Sequence, residues 1–164
     1  MPPTILFEEV QPFKQKWVEG LMLIVNTLLI LMYLISTFVT QHSSHEANVV
    51  LLTSILICGL LTFLLKRLKL ITQITTEGIQ VRFTPVQRSF QLYRWTDIEQ
   101  LFIRTYNPLL EYGGWGLRMG PSGNAYNVSG NVGLQLVLRG NYRILIGTSK
   151  PDLLVNVLHG LGRL

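Results

Sequence analysis

The sequence predicts a membrane α-helical hairpin of two transmembrane helices, followed by a small antiparallel β domain that a C-terminal α-helix caps. Three observations predict this fold class. Two long runs without a central charge lie in the first 65 residues, alternating apolar and polar residues begin near residue 70, and the chain ends in one amphipathic stretch. We therefore divide the 164 residues into an N-terminal segment (1–17), a hairpin (18–65) and a β domain (70–164).

The two apolar runs are long enough to cross a bilayer. Helices over residues 18–39 and 47–65 would rise roughly 33 Å and roughly 28 Å, against a hydrocarbon core of about 30 Å. A signal peptide is the competing interpretation of the first run, because Lys14 and Lys16 precede it. However, the run exceeds a typical signal-peptide core, no small-residue cleavage motif follows, and a second run comes soon after. We expect two antiparallel membrane helices.

Basic residues predict the orientation of the hairpin. Lys14 and Lys16 precede the first run, and Lys66, Arg67 and Lys69 follow the second, while the connecting turn has neither Lys nor Arg. The positive-inside rule then places both termini and the β domain in the cytoplasm, which makes the chain an integral protein of the inner (cytoplasmic) membrane.

The formal net charge of +5 suggests an anionic partner, either nucleic acid or a lipid surface. No basic run and no aromatic-basic RNA motif occurs, so we expect the lipid bilayer as a partner and no nucleic acid. The single cysteine, Cys58, lies inside the second run, so one chain offers neither a disulfide nor a cysteine metal site.

Polar residues inside the hairpin predict how its helices pack. We expect Asn26 to hydrogen-bond across to Thr62 or to a carbonyl, and Gly59 to let the backbones approach. A polar pathway for ions, the alternative, needs ionisable groups facing inward from several helices, and two helices without central charges do not supply them.

The N-terminal segment predicts a helix lying in the membrane interface. Phe7, Val10, Phe13 and Trp17 recur at spacings close to three and four residues, with lysines between the later ones. Pro12 would disturb the middle of this helix.

The β domain reads as strand pairs followed by one helix. Turn residues at Glu77-Gly78 and at Arg139-Gly140-Asn141 each separate two strand-like runs, and FQLYRW and IEQLFIRTY supply two more strands. The sequence SKPD, from residue 149, predicts a capping box. Five apolar residues then fall on one helical face, namely Leu153, Leu154, Val157, Leu158 and Leu161.

A glycine-rich stretch, residues 111–133, reads EYGGWGLRMGPSGNAYNVSGNVG. Neither phosphate-binding glycine motif is present and no helix follows, so the stretch predicts a meander of short strands. We interpret Gly113, Gly114 and Gly116 as a bulge that aims the indole of Trp115, with close approach of another backbone as the alternative.

The motifs EYGGWGLR, AYNVSGNVGLQL and ILIGTSKPDLL, in this order of elements, resemble bacterial membrane proteins that carry a pleckstrin-homology-like domain behind a transmembrane hairpin. FEEVQPFKQKW is similar to their N-terminal signature, and the resemblance covers nearly the whole chain. It implies a seven-stranded, partly open barrel with a C-terminal helix, and no catalytic residue. The phosphoinositide specificity of eukaryotic pleckstrin-homology domains is not expected here, because the hairpin TEGIQ contains no cluster of Lys and Arg.

Few residues could form a catalytic or metal site, and we expect no catalytic, metal or cofactor site. His42, His45 and Glu46 form the tightest His and acid cluster, but no third partner orients the imidazoles. His159 reads as a helix-end residue. The acids Asp97, Glu99 and Glu111 are too scattered for an acid-base pair, and the sequon at Asn127 has no meaning in the cytoplasm.

Two functional classes remain, and neither is an enzyme. In the first, the domain is an interaction or assembly module that binds an unidentified protein, or a second copy, through a sheet edge or through a surface at Trp115, Arg118 and Tyr126. In the second, Arg82, Arg94 and Arg104, with Arg118, recognise anionic lipid headgroups. We favour the first, because arginines scattered singly on strands are usually solvated.

Overall fold

The computed structural model describes residues 3–13, 15–40, 45–120 and 122–164. These residues form two compact units. One, the helical unit, is Gln15–Lys66; the other, the β unit, takes the described residues up to 13 together with Arg67–Leu164.

The helical unit consists of α1 (Lys16–Thr40) and α2 (His45–Arg67). Both helices are long and apolar enough to cross a membrane, with mean hydropathies of 2.2 and 2.4. Glu19, near the start of α1, lies 4.0 Å from Lys66 at the end of α2, and the Tyr33 hydroxyl donates to the Asn48 side-chain oxygen. The helices are therefore antiparallel neighbours, as predicted.

The predicted packing inside the hairpin is wrong in detail. Asn26 Nδ2 donates to the Met22 carbonyl of its own helix at 2.9 Å, and the Thr62 hydroxyl donates to the Cys58 carbonyl at 2.8 Å. A Cβ atom at Gly59 would meet open space, so the helices do not approach closely there. Bonds to the preceding turn satisfy these side chains locally, and the hydrogen bond from Tyr33 to Asn48 joins the helices instead.

Sheet A of the β unit has four antiparallel strands in the order β1-β2-β3-β4. They are β1 (Ile5–Pro12), β2 (Lys69–Thr75), β3 (Gly78–Thr84) and β4 (Gln91–Arg94). The predicted interfacial helix over the N-terminal segment is therefore wrong for Ile5–Pro12. On β1 the buried positions alternate, and Glu9 and Gln11 are only 2% and 3% exposed. Because these buried residues are polar, the hydropathy of the segment does not alternate as it does in an ordinary strand.

The strand β1 precedes the helical unit in sequence, and its partner β2 follows it. Pro12 pairs with Lys69, and the Phe13 amide donates to the Leu68 carbonyl at 3.0 Å. The two helices are thus an insertion between two paired strands of one sheet.

Sheet B has five strands in the order β5-β8-β9-β7-β6. They are β5 (Ile98–Thr105), β6 (Gly116–Gly120), β7 (Gly123–Asn127), β8 (Val132–Leu138) and β9 (Tyr142–Gly147). The predicted hairpins β2-β3 and β8-β9 are confirmed. The predicted meander is confirmed for its first turn, since β6 and β7 pair antiparallel, and wrong for its second, because β7 pairs in parallel with β9 rather than with β8. The structure therefore has two open sheets, of four and five strands, where the resemblance implied one seven-stranded, partly open barrel.

The main core lies between the sheets and is covered by α4 (Pro151–Gly160). Leu154 and Leu158 are 1% and 0% exposed, whereas Leu153 is 55% exposed, so only part of the predicted apolar face is buried. The predicted capping box does not form: Lys150 is the N-cap residue without a side-chain bond, and the Ser149 hydroxyl binds Glu9 instead.

A second, smaller core lies on the other face of sheet B. It contains Tyr106, Tyr112, Ala125 and Leu145. The short helix α3 (Pro108–Tyr112) contributes Tyr112, and the Asn107 side chain caps this helix. Gly113 ends it at φ 69°, a conformation that glycine adopts without steric cost.

Candidate interaction surface

Strand β6 presents different side chains to the two faces of sheet B. Leu117 pairs with Tyr126, a residue of the main core, whereas Arg118 pairs with Ala125, a residue of the smaller core. Cross-strand partners point to the same face of a sheet. Leu117 and Met119 therefore extend the inner, apolar face of sheet B.

This extension is not covered. Leu117 is 36% exposed and Met119 is 82% exposed, although both lie on the face that sheet A covers elsewhere. β6 is one of the two edge strands of sheet B, and its inner face reaches past the main core. An exposed apolar patch beside a buried core is the kind of surface that proteins use to bind partners.

Three tyrosines border this patch. The Tyr93 hydroxyl, from β4, donates to the Tyr126 hydroxyl at 3.1 Å, and the Asn124 side chain donates to the Tyr142 hydroxyl at 2.5 Å. Tyr142 lies on the inner face of β9 and is 50% exposed. We define the β6 surface as Tyr93, Leu117, Met119, Tyr126 and Tyr142.

The β6 surface is uncharged. Burial, and then the hydrogen bond to Tyr126, raise the pKa of Tyr93 well above its ordinary value, so its hydroxyl stays protonated at any physiological pH. Tyrosine is common in binding surfaces because its ring packs like an apolar group while its hydroxyl still forms hydrogen bonds. The arrangement suits a partner that contributes apolar or aromatic side chains.

The three predicted interaction residues do not share one surface. Trp115 is half-buried outside both cores, and its indole N–H donates to the Gly130 carbonyl at 3.0 Å. Arg118 is exposed and donates to the Trp115 carbonyl at 3.1 Å. Tyr126 is 5% exposed and faces the main core, away from Arg118.

The three predicted headgroup arginines are also separated. Arg82, on β3, places its guanidinium group 4.4 Å from the centre of the Phe90 ring. Arg94 is exposed and pairs with Gly78 at the far end of the same sheet. Arg104 belongs to sheet B and contacts Glu111. The fold therefore forms no joint site from them.

A groove of about 670 Å³ lies on the outer face of sheet B, beside α3. Arg104 binds Glu111 at 2.7 Å, Gln135 at 2.9 Å and the Tyr112 hydroxyl at 3.1 Å within this region. The hydrogen bond from Arg104 lowers the pKa of Glu111, so this pair stays ionised and internally neutralised. Arg104 and Glu111 thus neutralise each other within the groove, which the exposed residues Glu99 and Arg143 also line.

Within the described ranges, no group of three His, Cys, Asp or Glu side chains could hold a metal ion. His42 lies outside the described residues, His45 begins α2, and His159 is exposed in the last turn of α4.

Sequence reasoning missed Tyr93, Met119 and Tyr142. The alternation of Leu117, Arg118 and Met119 does indicate a strand with one apolar face. What the sequence did not reveal is the strand order, which places β6 at the edge and leaves that face uncovered.

Comparisons with family models, with curated proteins and with solved structures find no match for this chain. The resemblance to bacterial proteins with a pleckstrin-homology-like domain therefore stays a prediction.

Proposed function

We propose that this chain is a non-enzymatic membrane protein whose β unit serves as an interaction or assembly module, and that the β6 surface is where a protein partner binds. The helices anchor the module in the inner membrane, and the β unit faces the cytoplasm, as the lysine distribution predicts. The partner is a second protein or another copy of this chain.

The observation that carries this proposal is the uncovered inner face of β6. Met119 is 82% exposed at the edge of a sheet whose inner residues Tyr126 and Ile144 are 5% and 1% exposed. A side chain that is exposed to this degree contributes little to the fold, whereas burial by a partner would stabilise a complex by about 25 cal/mol per Å² of apolar surface. Tyr142, which is 50% exposed beside it, supplies a hydrogen-bonding group at the rim.

Comparing complexes of the wild type with those of Met119→Glu tests this proposal. Both proteins are extracted from native membranes in a mild detergent, and the mass of each complex is measured by light scattering. We expect a complex of defined stoichiometry for the wild type and the isolated chain for Met119→Glu. Glu8→Gln, a change on the exposed face of β1, the edge strand of sheet A opposite β4, is the control. A mass that Met119→Glu leaves unchanged would contradict the proposal.

A further inference from the structure

The loop between β3 and β4, residues 85–90, lies at the end of the β unit where the chain continues into the helices. Thr84, the last residue of β3, pairs with Lys69, and its hydroxyl donates to the Lys69 carbonyl at 3.3 Å. One residue separates Lys69 from Arg67, the last residue of α2. This loop is therefore adjacent to the chain segment that leads out of an apolar helix.

The loop holds an apolar side chain outward in a fixed position. The Gln87 amide donates to the Phe83 carbonyl at 2.7 Å, and the Phe83 amide donates to the Gln87 side chain at 2.9 Å. These reciprocal bonds close the loop, and Val86 at its tip is 63% exposed. An exposed β-branched residue in an ordered loop loses little conformational entropy when it is buried against another phase.

Positive charge surrounds this tip. Arg88 and Lys69 are exposed beside it, and Arg82 stacks on Phe90 at the base of the loop. Arg82 Nε is buried and has no hydrogen-bond partner among the described residues. The sequence from 78 to 96 contains no Asp or Glu, so no acidic side chain of this segment offsets these cations.

We propose that residues 85–90 contact the anionic surface of the bilayer that holds α1 and α2, with Val86 at the depth of the headgroups and Arg88 paired with lipid phosphates. A bilayer fits this loop for two reasons. The chain passes from this end of sheet A directly into an apolar helix, and basic residues flanking an apolar tip match an interface of phosphates over acyl chains. The contact is distinct from the β6 surface, since residues 85–90 include none of the five residues of that surface.

The test measures how close single positions lie to lipid. Full chains carrying Cys58→Ser and either Val86→Cys or Glu77→Cys are labelled with an environment-sensitive fluorophore and reconstituted in vesicles of phosphatidylcholine and phosphatidylglycerol. Nitroxide-labelled lipids then quench the fluorophore. Glu77 is the matched control, because it is an exposed turn residue one strand length, roughly 23 Å, from Lys69.

We expect quenching at position 86 to exceed that at position 77 several-fold, and Arg88→Glu to lower it towards the control value. Circular dichroism of each labelled chain checks that the fold is retained. Equal quenching at the two positions would overturn the proposal. Quenching at position 86 that is indifferent to Arg88→Glu would overturn the role of the anionic surface.

Discussion

Glu9 and Ser149 are joined by two hydrogen bonds although 140 positions separate them in sequence. Glu9 Oε1 accepts from the Ser149 amide at 2.9 Å and from its hydroxyl at 2.5 Å, and Oε2 accepts from the Thr148 hydroxyl at 2.7 Å. The carboxylate is 2% exposed. It connects the strand that precedes the helices to the residues just before α4, so segments near both ends of the chain stabilise one fold.

Replacing Glu9 should destabilise the protein. Glu9→Ala leaves donors at Thr148 and Ser149 without their acceptor, and we expect a loss on the order of 3 kcal/mol, since hydrogen bonds to charged groups are the stronger ones. Glu8→Ala, on the exposed face of the same strand, should change the free energy of unfolding by less than about 0.5 kcal/mol. Urea unfolding of both variants in detergent, followed by tryptophan fluorescence, measures the difference. Equal midpoints would show that Glu9 is not a structural residue.

Removing the helical unit should leave a folded β unit if β1 is kept. Phe13 and Leu68 are already paired, so an Asn-Gly turn that joins residues 3–13 to residues 68–164 completes a two-residue hairpin. We expect this protein to be soluble and to unfold cooperatively. A fragment of residues 70–164 lacks β1 and exposes β2 as a new edge, so it should aggregate. Circular dichroism and gel filtration compare the two. A stable, monomeric 70–164 fragment would contradict the insertion topology.

The two leucines at the start of α4 should respond differently to charge. Leu154 is 1% exposed, and Leu154→Asp would place a carboxylate in the main core at a cost on the order of 3 kcal/mol or more. Leu153 is 55% exposed, so Leu153→Asp should alter stability by less than about 0.5 kcal/mol. Thermal unfolding of the full chain measures both. Similar losses for both variants would mean that α4 packs through a different face.

The ion pair between Arg104 and Glu111 should make stability depend on acid pH. Because Arg104 lowers the pKa of Glu111 in the folded state, the pair stabilises the protein above the unfolded pKa of about 4.3. This stabilisation is lost as the pH falls through the lower, folded pKa. Glu111→Gln should therefore be less stable than the wild type near neutral pH, and the gap should narrow in acid.

Urea midpoints between about pH 7 and about pH 3 measure this gap, with Glu77→Gln as a control for removal of one surface charge. A gap between the wild type and Glu111→Gln that stays constant with pH would remove the ion pair as its cause.

Local patterns predicted much of this fold, and long-range pairing accounts for most of the rest. Continuous apolar runs identified α1 and α2, and turn residues such as Glu77 and Gly78 identified hairpins, because both signals depend on neighbours in sequence. The parallel pairing of β7 with β9 joins strands between which β8 lies in the sequence, and no local signal specifies it. The position of β6 at an edge follows from that pairing.

The predicted interfacial helix at the N-terminus and the predicted capping box of α4 are both wrong, because a distant residue binds the side chain concerned. Glu9 faces inward because Ser149 and Thr148 supply donors, so β1 lacks the apolar alternation of an ordinary strand. The same contact takes the Ser149 hydroxyl away from the predicted capping box. In both cases the deciding partner lies more than a hundred residues away, beyond the reach of any window of sequence.

Photocrosslinking from position 119 tests most directly whether the β6 surface binds a partner. Benzoylphenylalanine replaces Met119 in the full chain in its native membrane, and in a second chain it replaces Glu77. Because Met119 extends past the main core at an open sheet edge, irradiation should give one discrete product from position 119 and none from position 77. The mass of that product shows whether the partner is another protein or a second copy. No product from position 119, or the same product from both positions, would contradict the β6 surface as a binding site.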